Sequence, residues 1–169
     1  ENIGFSAGNN LGVSYANGNY IMILNSDVLV FEGWLSSLYN SLKLDKKIGA
    51  VGPLSNLING RQIIDVSYSN VDEYSEYAQN LNLSNKGLIT PRRRLAGFAV
   101  LLSKKLYNEI GGFDEDYKIG NFEDDDFSLK ITKRGLLLMV DESVVIHHFG
   151  SKSFEANKID YSKTINDNF

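Results

Sequence analysis

A short apolar run that ends abruptly in polar residues is the strongest guide to the fold. Tyr20 to Leu24 are continuously apolar, and Asn25, Ser26 and Asp27 follow directly. Five residues suit a strand better than a helix, and apolar character on both faces is typical of a buried parallel strand. Ligands bind at the carboxyl ends of strands in open α/β sheets. The run therefore predicts a buried strand with a ligand site beside Asp27, although Asn, Ser and Asp also favour simple turns.

Helix and strand patterns alternate along most of the chain. Helices are predicted over residues 6–18, 33–43, 71–81, 103–110 and 123–134, and strands over residues 20–24, 49–53, 95–102, 136–140 and 144–146. The last of these helices begins with acids and ends in Lys133 and Arg134 before Gly135, an order that complements the helix dipole. This alternation predicts an α/β fold with a mainly parallel sheet flanked by helices.

Composition narrows both the class of protein and the chemistry of any metal site. The 169 residues suit one domain, and 43% hydrophobic residues can form a core. A net charge of −4 argues against a nucleic-acid partner. No apolar run approaches the roughly 18 residues of a membrane span. Because the chain has no cysteine, a metal would be held by Asp, Glu, His or Asn. Those ligands suit Mg²⁺ or Mn²⁺ with a phosphate-bearing substrate.

A run of four acids is the strongest candidate for catalysis. Glu123, Asp124, Asp125 and Asp126 lie together at the predicted start of a helix. Crowded carboxylates raise one another's pKa, which would give a general base of useful strength. The alternative is an acidic first turn on a solvated helix. The phenylalanines on both sides of the run argue against full exposure.

The two histidines of the chain are adjacent and follow a predicted strand. His147 and His148 come directly after residues 144–146. Since neighbouring residues of a strand point to opposite faces, at most one of them can readily share a site with Asp27. A histidine at a strand end is often structural or exposed, but the carboxylates at the ends of other elements favour a metal ligand here.

Two further segments give weaker signals. The small residues within 1–10 precede a helix and allow the backbone to approach a ligand closely. Arg92, Arg93 and Arg94 precede the strand predicted over 95–102, and arginines suit a diphosphate or an anionic acceptor. Short charge runs on loops are more often solvated surface, which is the favoured interpretation for these arginines.

Several short motifs follow one another in a specific order and spacing. The earlier motifs are Asn2-Ile3-Gly4-Phe5, Asn9-Asn10-Leu11-Gly12, Ala16-Asn17-Gly18 and Leu24-Asn25-Ser26-Asp27. The later motifs are Gly97-Phe98, Ile110 to Glu115, Phe122 to Lys130, Arg134-Gly135 and Val145 to Ser151. Together, from residue 1 to about residue 153, they resemble the family 2 inverting glycosyltransferases of the rhamnosyltransferase-like kind.

This resemblance implies a GT-A fold, which is a Rossmann-like α/β sheet, and transfer of a sugar from a nucleotide-diphosphate donor to an acceptor hydroxyl with inversion. It implies that Asp27 binds a Mn²⁺ or Mg²⁺ ion bridging the diphosphate, and that His147 completes the metal shell. Asp124 matches the catalytic base, with Glu123 as its supporting neighbour. The residues expected to contact the donor or line the sugar pocket are Asn2, Gly4, Asn9, Asn25, Asp27, Gly97 and Phe98.

The chain departs from the family pattern in two ways. Asn25 occupies the first position of the DxD-type motif, where an amide can still form hydrogen bonds. The opening strands of the family, which carry much of the nucleotide pocket, have no counterpart and would lie before Glu1. The chain is therefore predicted to be an N-terminally truncated fragment, with a partial GT-A domain over residues 1–153 and a tail over residues 154–169.

The leading expectation is synthesis of a cell-surface polysaccharide on a glycan or lipid-linked acceptor. The predicted location is the cytoplasm, with peripheral association of the parent protein at the inner face of the membrane. A metal-dependent nucleotidyltransferase is an alternative, although the sequence shows no Gly-rich, basic triphosphate loop. A second alternative is a catalytically incompetent fragment that folds and forms a homodimer through the sheet edge left by the missing strands.

Overall fold

Helices and strands alternate along residues 3–58, 60–117 and 122–150, the part of the chain that the computed structural model describes. The helices are α1 (Phe5–Tyr15), α2 (Trp34–Leu42), α3 (Val71–Ser84), α4 (Lys104–Glu109) and α5 (Glu123–Thr132), with a 3-10 turn at Glu115–Tyr117. The strands are β1 (Tyr20–Leu24), β2 (Val28–Leu29), β3 (Ile48–Ser55), β4 (Ile89–Arg92), β5 (Ala99–Ser103) and β6 (Leu137–His148). The five predicted helices and the α/β class are confirmed.

The sheet is mixed rather than mainly parallel. Its strand order is β1-β5-β3-β6-β2, and β4 also pairs with β6. Within the described residues β3 and β6 are parallel, whereas β5 is antiparallel to β1 and β3, and β6 is antiparallel to β4 and β2. The prediction of a mainly parallel sheet is therefore wrong. An apolar run indicates a strand, but it does not report the direction of that strand, and in β1 the expected burial on both faces is found only at Ile21 and Ile23.

The core surrounds the three central strands. β3 is buried along its whole length, and β5 and β6 are buried along most of theirs. Helix α2 packs on β3 and β6, α3 and α5 pack on β6, and α4 packs on β1 and β5. The apolar run over 20–24 forms β1 at the end of the strand order, where Ile21 and Ile23 are buried and the other residues are partly or fully exposed.

The strands predicted over 136–140 and 144–146 are one long strand, β6. The polar residues between them misled the prediction, because Asp141 lies inside the sheet with only 1% of its surface exposed. Its carboxylate accepts hydrogen bonds from Ser41 Oγ at 2.7 Å and from Ser143 N at 3.0 Å. Since these bonds satisfy the buried carboxyl group, β6 continues through Asp141 and reaches both histidines.

The sequence pattern does not predict the two short strands β2 and β4. β4 contains Pro91 and pairs with the first half of β6, a peripheral position that tolerates proline. β2 has two residues, and it pairs Val28 with His148 and Leu29 with His147. β2 therefore holds the chain that follows β1 against the end of β6.

Close packing fixes helix α5 beside the segment that leads into β5. A Cβ at Gly49 of β3 would lie 2.7 Å from Ile131 Cγ2, so this contact requires glycine. Ser128 Oγ accepts a hydrogen bond from Leu95 N at 3.1 Å. The Ser128 bond places α5, whose first turn carries the acidic run, next to residues 95–98, and the Gly49 contact packs the end of the helix on β3.

Some predicted features fall outside the described residues. These are Asn2, with its predicted donor contact, and residues 154–169, the predicted tail. Both stay predictions. Across the described ranges, none of the helices combines the length and the apolarity that crossing a membrane requires.

Candidate active site

A carboxylate, an imidazole and an amide converge just beyond the end of β1. Asp27 follows β1 and precedes β2, which pairs with the end of β6. Asp27 Oδ1 lies 3.3 Å from His148 Nε2, and the two side chains are 14% and 11% exposed. Asn25 Nδ2 lies 3.4 Å from the same nitrogen of His148. The polar residues that end the apolar run thus meet the end of β6.

The hydrogen bonds of His148 determine how its ring faces Asp27. Nδ1 donates to Leu57 O at 2.9 Å, so a neutral ring carries its free electron pair on Nε2, opposite Asp27 Oδ1. Two electron pairs in this arrangement repel each other unless a proton or a cation lies between them. A carboxylate and an imidazole whose other nitrogen donates to a carbonyl are common metal ligands. Asp27 and His148 therefore fit a divalent ion.

The neighbouring His147 points away from this pair. Its Nδ1 lies 2.8 Å from the Tyr68 hydroxyl, and its ring packs edge-on against Tyr68 and Phe149. Burial lowers the pKa of His147, and the neighbouring His148 lowers it further. Asp27 therefore contacts His148, whereas His147 contacts Tyr68, and the metal role predicted for His147 stays a prediction that these contacts do not favour. Strand alternation puts the two histidines on opposite faces, and His148 is the one that faces Asp27.

A metal at this position would depend on its substrate for further ligands. Across residues 3–58, 60–117 and 122–150, no group of three or more His, Cys, Asp or Glu side chains could hold a metal ion. An ion between Asp27 and His148 would take its other ligands from a diphosphate and water, as Mg²⁺ commonly does.

The acidic run has a different environment at each of its aspartates. Asp124 Oδ2 accepts hydrogen bonds from Arg94 Nη2 at 2.7 Å and from Gly97 N at 3.2 Å, and its side chain is 13% exposed. Asp125 is 49% exposed, and its Oδ1 lies 3.0 Å from Arg94 Nε. Asp126 pairs with Lys130 one turn along α5 at 2.8 Å. The run is therefore not a set of interchangeable acids.

Glu123 is the buried member of the run. Only 8% of its surface is exposed, and its Oε2 has no hydrogen-bond partner among the described residues. Burial raises the pKa of Glu123 to about 7, and the charge of Asp124 adds to this. The preceding residue, Phe122, has a φ of 69°, a left-handed conformation that is strained for a non-glycine residue. Such strain is often found at functional sites.

Gly97 and Phe98 join the acidic run to the Asp27–His148 pair. Gly97 N donates to Asp124, while the ring of Phe98 lies 5.6 Å from the ring of His148 between centroids. Phe98 O accepts a hydrogen bond from Asn25 N at 2.8 Å. The two halves of the predicted site are thus connected by direct contacts through two consecutive residues.

The start of helix α1 lies beside the same glycine. A Cβ at Gly97 would lie 3.2 Å from Phe5 Cζ. Gly4 precedes the helix with a φ of 86°, which favours glycine. Asn9 Nδ2 donates to Phe5 O at 2.9 Å, so its amide is used within the helix. The donor contacts predicted for Gly4 and Asn9 stay predictions.

Arg94 belongs to the site although the sequence pattern favoured a solvated surface for all three arginines. It pairs with both Asp124 and Asp125. The sequence offered one sign of this pairing, which is that a basic run and an acidic run occur in the same small chain. Their pairing depends on the packing of α5 beside residues 95–98, which no local pattern reveals.

Comparisons with known proteins identify relatives. Glycosyl transferase family 2 matches residues 1–111. The chondroitin synthases of Escherichia coli and Pasteurella multocida (strain Pm70) are each 25% identical over 82% of the chain, which covers 24% and 17% of their own lengths. The inactive polypeptide N-acetylgalactosaminyltransferase-like protein 5 of Macaca fascicularis is 24% identical over 92% of the chain and 37% of that protein. The chain thus spans less than half the length of each relative.

Two solved structures share the fold. GalNAc-T7 with UDP, GalNAc and Mn²⁺ has a TM-score of 0.65 at 20% identity, over 86% of this chain and 30% of that one. The mannosyltransferase PcManGT from Pyrobaculum calidifontis, in complex with GDP-Man and Mn²⁺, has a TM-score of 0.61 at 18% identity, over 98% of this chain and 42% of that one. These likenesses confirm the predicted GT-A fold. Since the family match covers well over half of its residues, the chain belongs to glycosyl transferase family 2.

Proposed function

We propose that the protein transfers a sugar from a nucleoside-diphosphate sugar to an acceptor hydroxyl with inversion. The observation that carries the proposal is the series of contacts from Asp27 and His148 through Phe98 and Gly97 to Asp124. It connects the two proposed metal ligands to the proposed carboxylate base. Inverting transfer needs both functions near the reacting carbon, one for the leaving group and one for the attacking hydroxyl.

Asp27 and His148 are the proposed ligands of Mn²⁺ or Mg²⁺, with the Asn25 amide available to hydrogen-bond the donor. When bound, the ion neutralises the charge that develops on the leaving diphosphate. The solved structures of GalNAc-T7 and PcManGT contain Mn²⁺ together with UDP or GDP-Man. This supports a nucleotide-sugar donor and a divalent metal for the present chain.

Asp124 is the proposed catalytic base. It accepts the proton of the acceptor hydroxyl while the hydroxyl oxygen attacks the anomeric carbon from the face opposite the diphosphate. Arg94 and the Gly97 amide hold Oδ2 and so orient the carboxylate. Glu123, the buried residue before Asp124 in the chain, is the proposed supporting neighbour, and Gly97 and Phe98 are proposed to line the sugar pocket.

The biological setting is part of the same proposal. Similarity to two chondroitin synthases supports a role in the synthesis of a cell-surface polysaccharide, with a glycan or lipid-linked acceptor. We further propose a cytoplasmic location, with peripheral association of a longer parent protein at the inner face of the membrane.

Nucleotidyl transfer and a non-catalytic fragment are the two alternatives to sugar transfer, and they differ in their support. Membership of glycosyl transferase family 2 favours sugar transfer over nucleotidyl transfer. A fragment that folds without turnover is the second candidate, because the similar protein of Macaca fascicularis is described as inactive.

Incubation with Mn²⁺ and a panel of UDP-, GDP- and dTDP-sugars tests the proposal. We expect release of a nucleoside diphosphate and a product of opposite anomeric configuration, whereas release of pyrophosphate would indicate nucleotidyl transfer. Asp124→Asn should lower kcat by about 10² to 10⁴. The control Asp72→Asn, at an exposed position in α3, should leave kcat unchanged. Donor binding without turnover would support the non-catalytic fragment.

A further inference from the structure

An arginine-lined cleft lies beside the proposed base, and apart from Arg94 its lining residues have no role in the reaction described above. The cleft has a volume of about 660 Å³ and is lined by Gly60, Arg61, Gln62, Pro91, Arg92, Arg93 and Arg94. That volume is typical of a small-molecule site. Arg94 belongs both to this lining and to the contact with Asp124. A molecule in the cleft would therefore lie next to the carboxylate that we assign as the base.

The cleft carries positive charge that the described residues do not balance. Arg92 pairs with Glu142 at 3.2 Å, and Arg94 pairs with acids of α5. Arg61 and Arg93 are exposed, and neither forms an ion pair with another described residue. Two guanidinium groups thus face the cleft region without a carboxylate partner in the described ranges, in a chain whose net charge is −4. An anionic ligand would supply the missing charge.

Hydrogen bonds hold the walls of the cleft, and those of Gln62 are buried. Gln62 is 3% exposed, and its Nε2 donates to Pro53 O at 2.8 Å while its Oε1 accepts from Ala96 N at 2.7 Å. Arg92 Nε donates to Arg61 O at 3.2 Å, which ties the two arginine-bearing segments together. A site whose walls are already ordered loses less conformational entropy when a ligand binds.

We propose that this cleft binds an anionic group of the acceptor, a carboxylate or a phosphate, and so presents the acceptor hydroxyl to Asp124. Arg61 and Arg93 are the proposed binding groups, because a guanidinium matches both anions with two parallel hydrogen bonds. The diphosphate of the donor is assigned to Asp27 and His148 instead. This inference rests on the proposed function, since it defines the acceptor class for the same reaction.

Binding of three related sugars, followed by calorimetry or NMR titration, tests the inference. The probes are methyl glucoside, which is neutral, methyl glucuronide, which carries a carboxylate, and glucose 1-phosphate. We expect at least one anionic sugar to bind about tenfold more tightly than the neutral one. Preference for the glucuronide alone would identify a carboxylate acceptor, and preference for glucose 1-phosphate alone would identify a phosphate acceptor.

The double variant Arg61→Gln/Arg93→Gln should abolish this preference. The control Lys46→Gln/Lys86→Gln removes the same charge at exposed positions elsewhere and should retain it. Equal binding of all three sugars to the unmodified protein would overturn the inference, and so would a preference that survives in the arginine variant.

Binding of Mn²⁺-pyrophosphate to the same proteins separates this inference from the proposed function. The arginine variant should bind it as tightly as the unmodified protein. Weaker binding by that variant would assign the arginines to the donor diphosphate and overturn the acceptor role. If the unmodified protein binds Mn²⁺-pyrophosphate but shows no anion preference, the acceptor inference fails and the proposed function stands. Absence of Mn²⁺-pyrophosphate binding to the unmodified protein would contradict the proposed function itself.

Discussion

Glu123 and Asp124 are neighbours in the chain, but their carboxylates have different environments. Asp124 faces a guanidinium and a backbone amide, whereas Glu123 is buried and has one oxygen without a hydrogen-bond partner among the described residues. The pKa of Glu123 is about 7, so this group changes charge near neutral pH. A base must also be oriented towards the proton that it accepts. The contacts with Arg94 and the Gly97 amide orient Asp124 and favour it as the base, and the ionisation of the buried Glu123 affects the stability of the fold.

As the pH rises, the Glu123→Gln variant should gain stability relative to the unmodified protein. The ordinary pKa of 4.5 is raised to about 7 in the folded chain, mainly by burial. Below the ordinary value both states are protonated and the ionisation has no effect. Above it, the unfolded chain ionises more readily, so the unmodified protein loses stability that the glutamine variant keeps. Between about pH 5 and about pH 8, the difference in unfolding free energy should shift by about 2 kcal/mol in favour of the variant.

Denaturant unfolding of both proteins at the two pH values provides this measurement. A difference that stays constant with pH would show that Glu123 titrates in the folded chain as it does in the unfolded one.

At the scale of elements, the helices could be predicted and the sheet only in part. Helix α3 covers Val71–Ser84, close to the predicted 71–81. Periodicity and capping residues are local signals, so they predict a helix without knowledge of the fold. Strand direction, the continuity of β6 through Asp141 and the pairing of β2 depend on distant partners. For the same reason, strand alternation allowed at most one histidine to share a site with Asp27, and the family resemblance pointed to His147. The pairing of β2 with the end of β6 and the contact with Asp27 identify His148 instead.

Helix α5 is held in place by a hydroxyl that should be costly to remove. Ser128→Ala would leave the buried Leu95 N without its acceptor, and we expect a loss of about 1–3 kcal/mol in unfolding free energy. Ser84→Ala is the matched control, because Ser84 is exposed and its hydroxyl donates to Leu81 O within the same helix. Its effect should stay within about 0.5 kcal/mol. Equal losses in chemical denaturation would show that Ser128 does not anchor the helix.

At the scale of the whole molecule, β1 lies at one end of the strand order and pairs with β5 on one side. Edge strands offer unpaired backbone groups to other chains, and natural proteins often protect them with charged residues. β1 consists of the residues Tyr-Ile-Met-Ile-Leu and carries no charge. The homodimer predicted from the sequence therefore stays a prediction, and β1 is the edge strand through which we propose that it forms.

We expect the protein to self-associate through β1, and Met22→Lys to weaken this association by adding a charge to the edge strand. Sedimentation velocity over a range of concentrations measures both. Leu83→Lys on the exposed face of α3 is the control, since Leu83 is 75% exposed and lies on a helix. A protein that remains monomeric at every concentration, or a Leu83→Lys variant that dissociates equally, would rule out the β1 interface.

In the proposed site, Asp27 and His148, not His147, form the part that binds the metal and the diphosphate. Calorimetric titration of Mn²⁺-pyrophosphate into His148→Gln and His147→Gln tests it most directly, because the probe does not require a nucleoside pocket. The two variants change the same residue type at adjacent positions of one strand. We predict that His148→Gln raises the Kd by about 10- to 100-fold, as loss of a metal-site group does, and that His147→Gln leaves it near the unmodified value. The opposite order would assign the metal to His147, and equal effects of both substitutions would rule out His148 as a specific metal ligand.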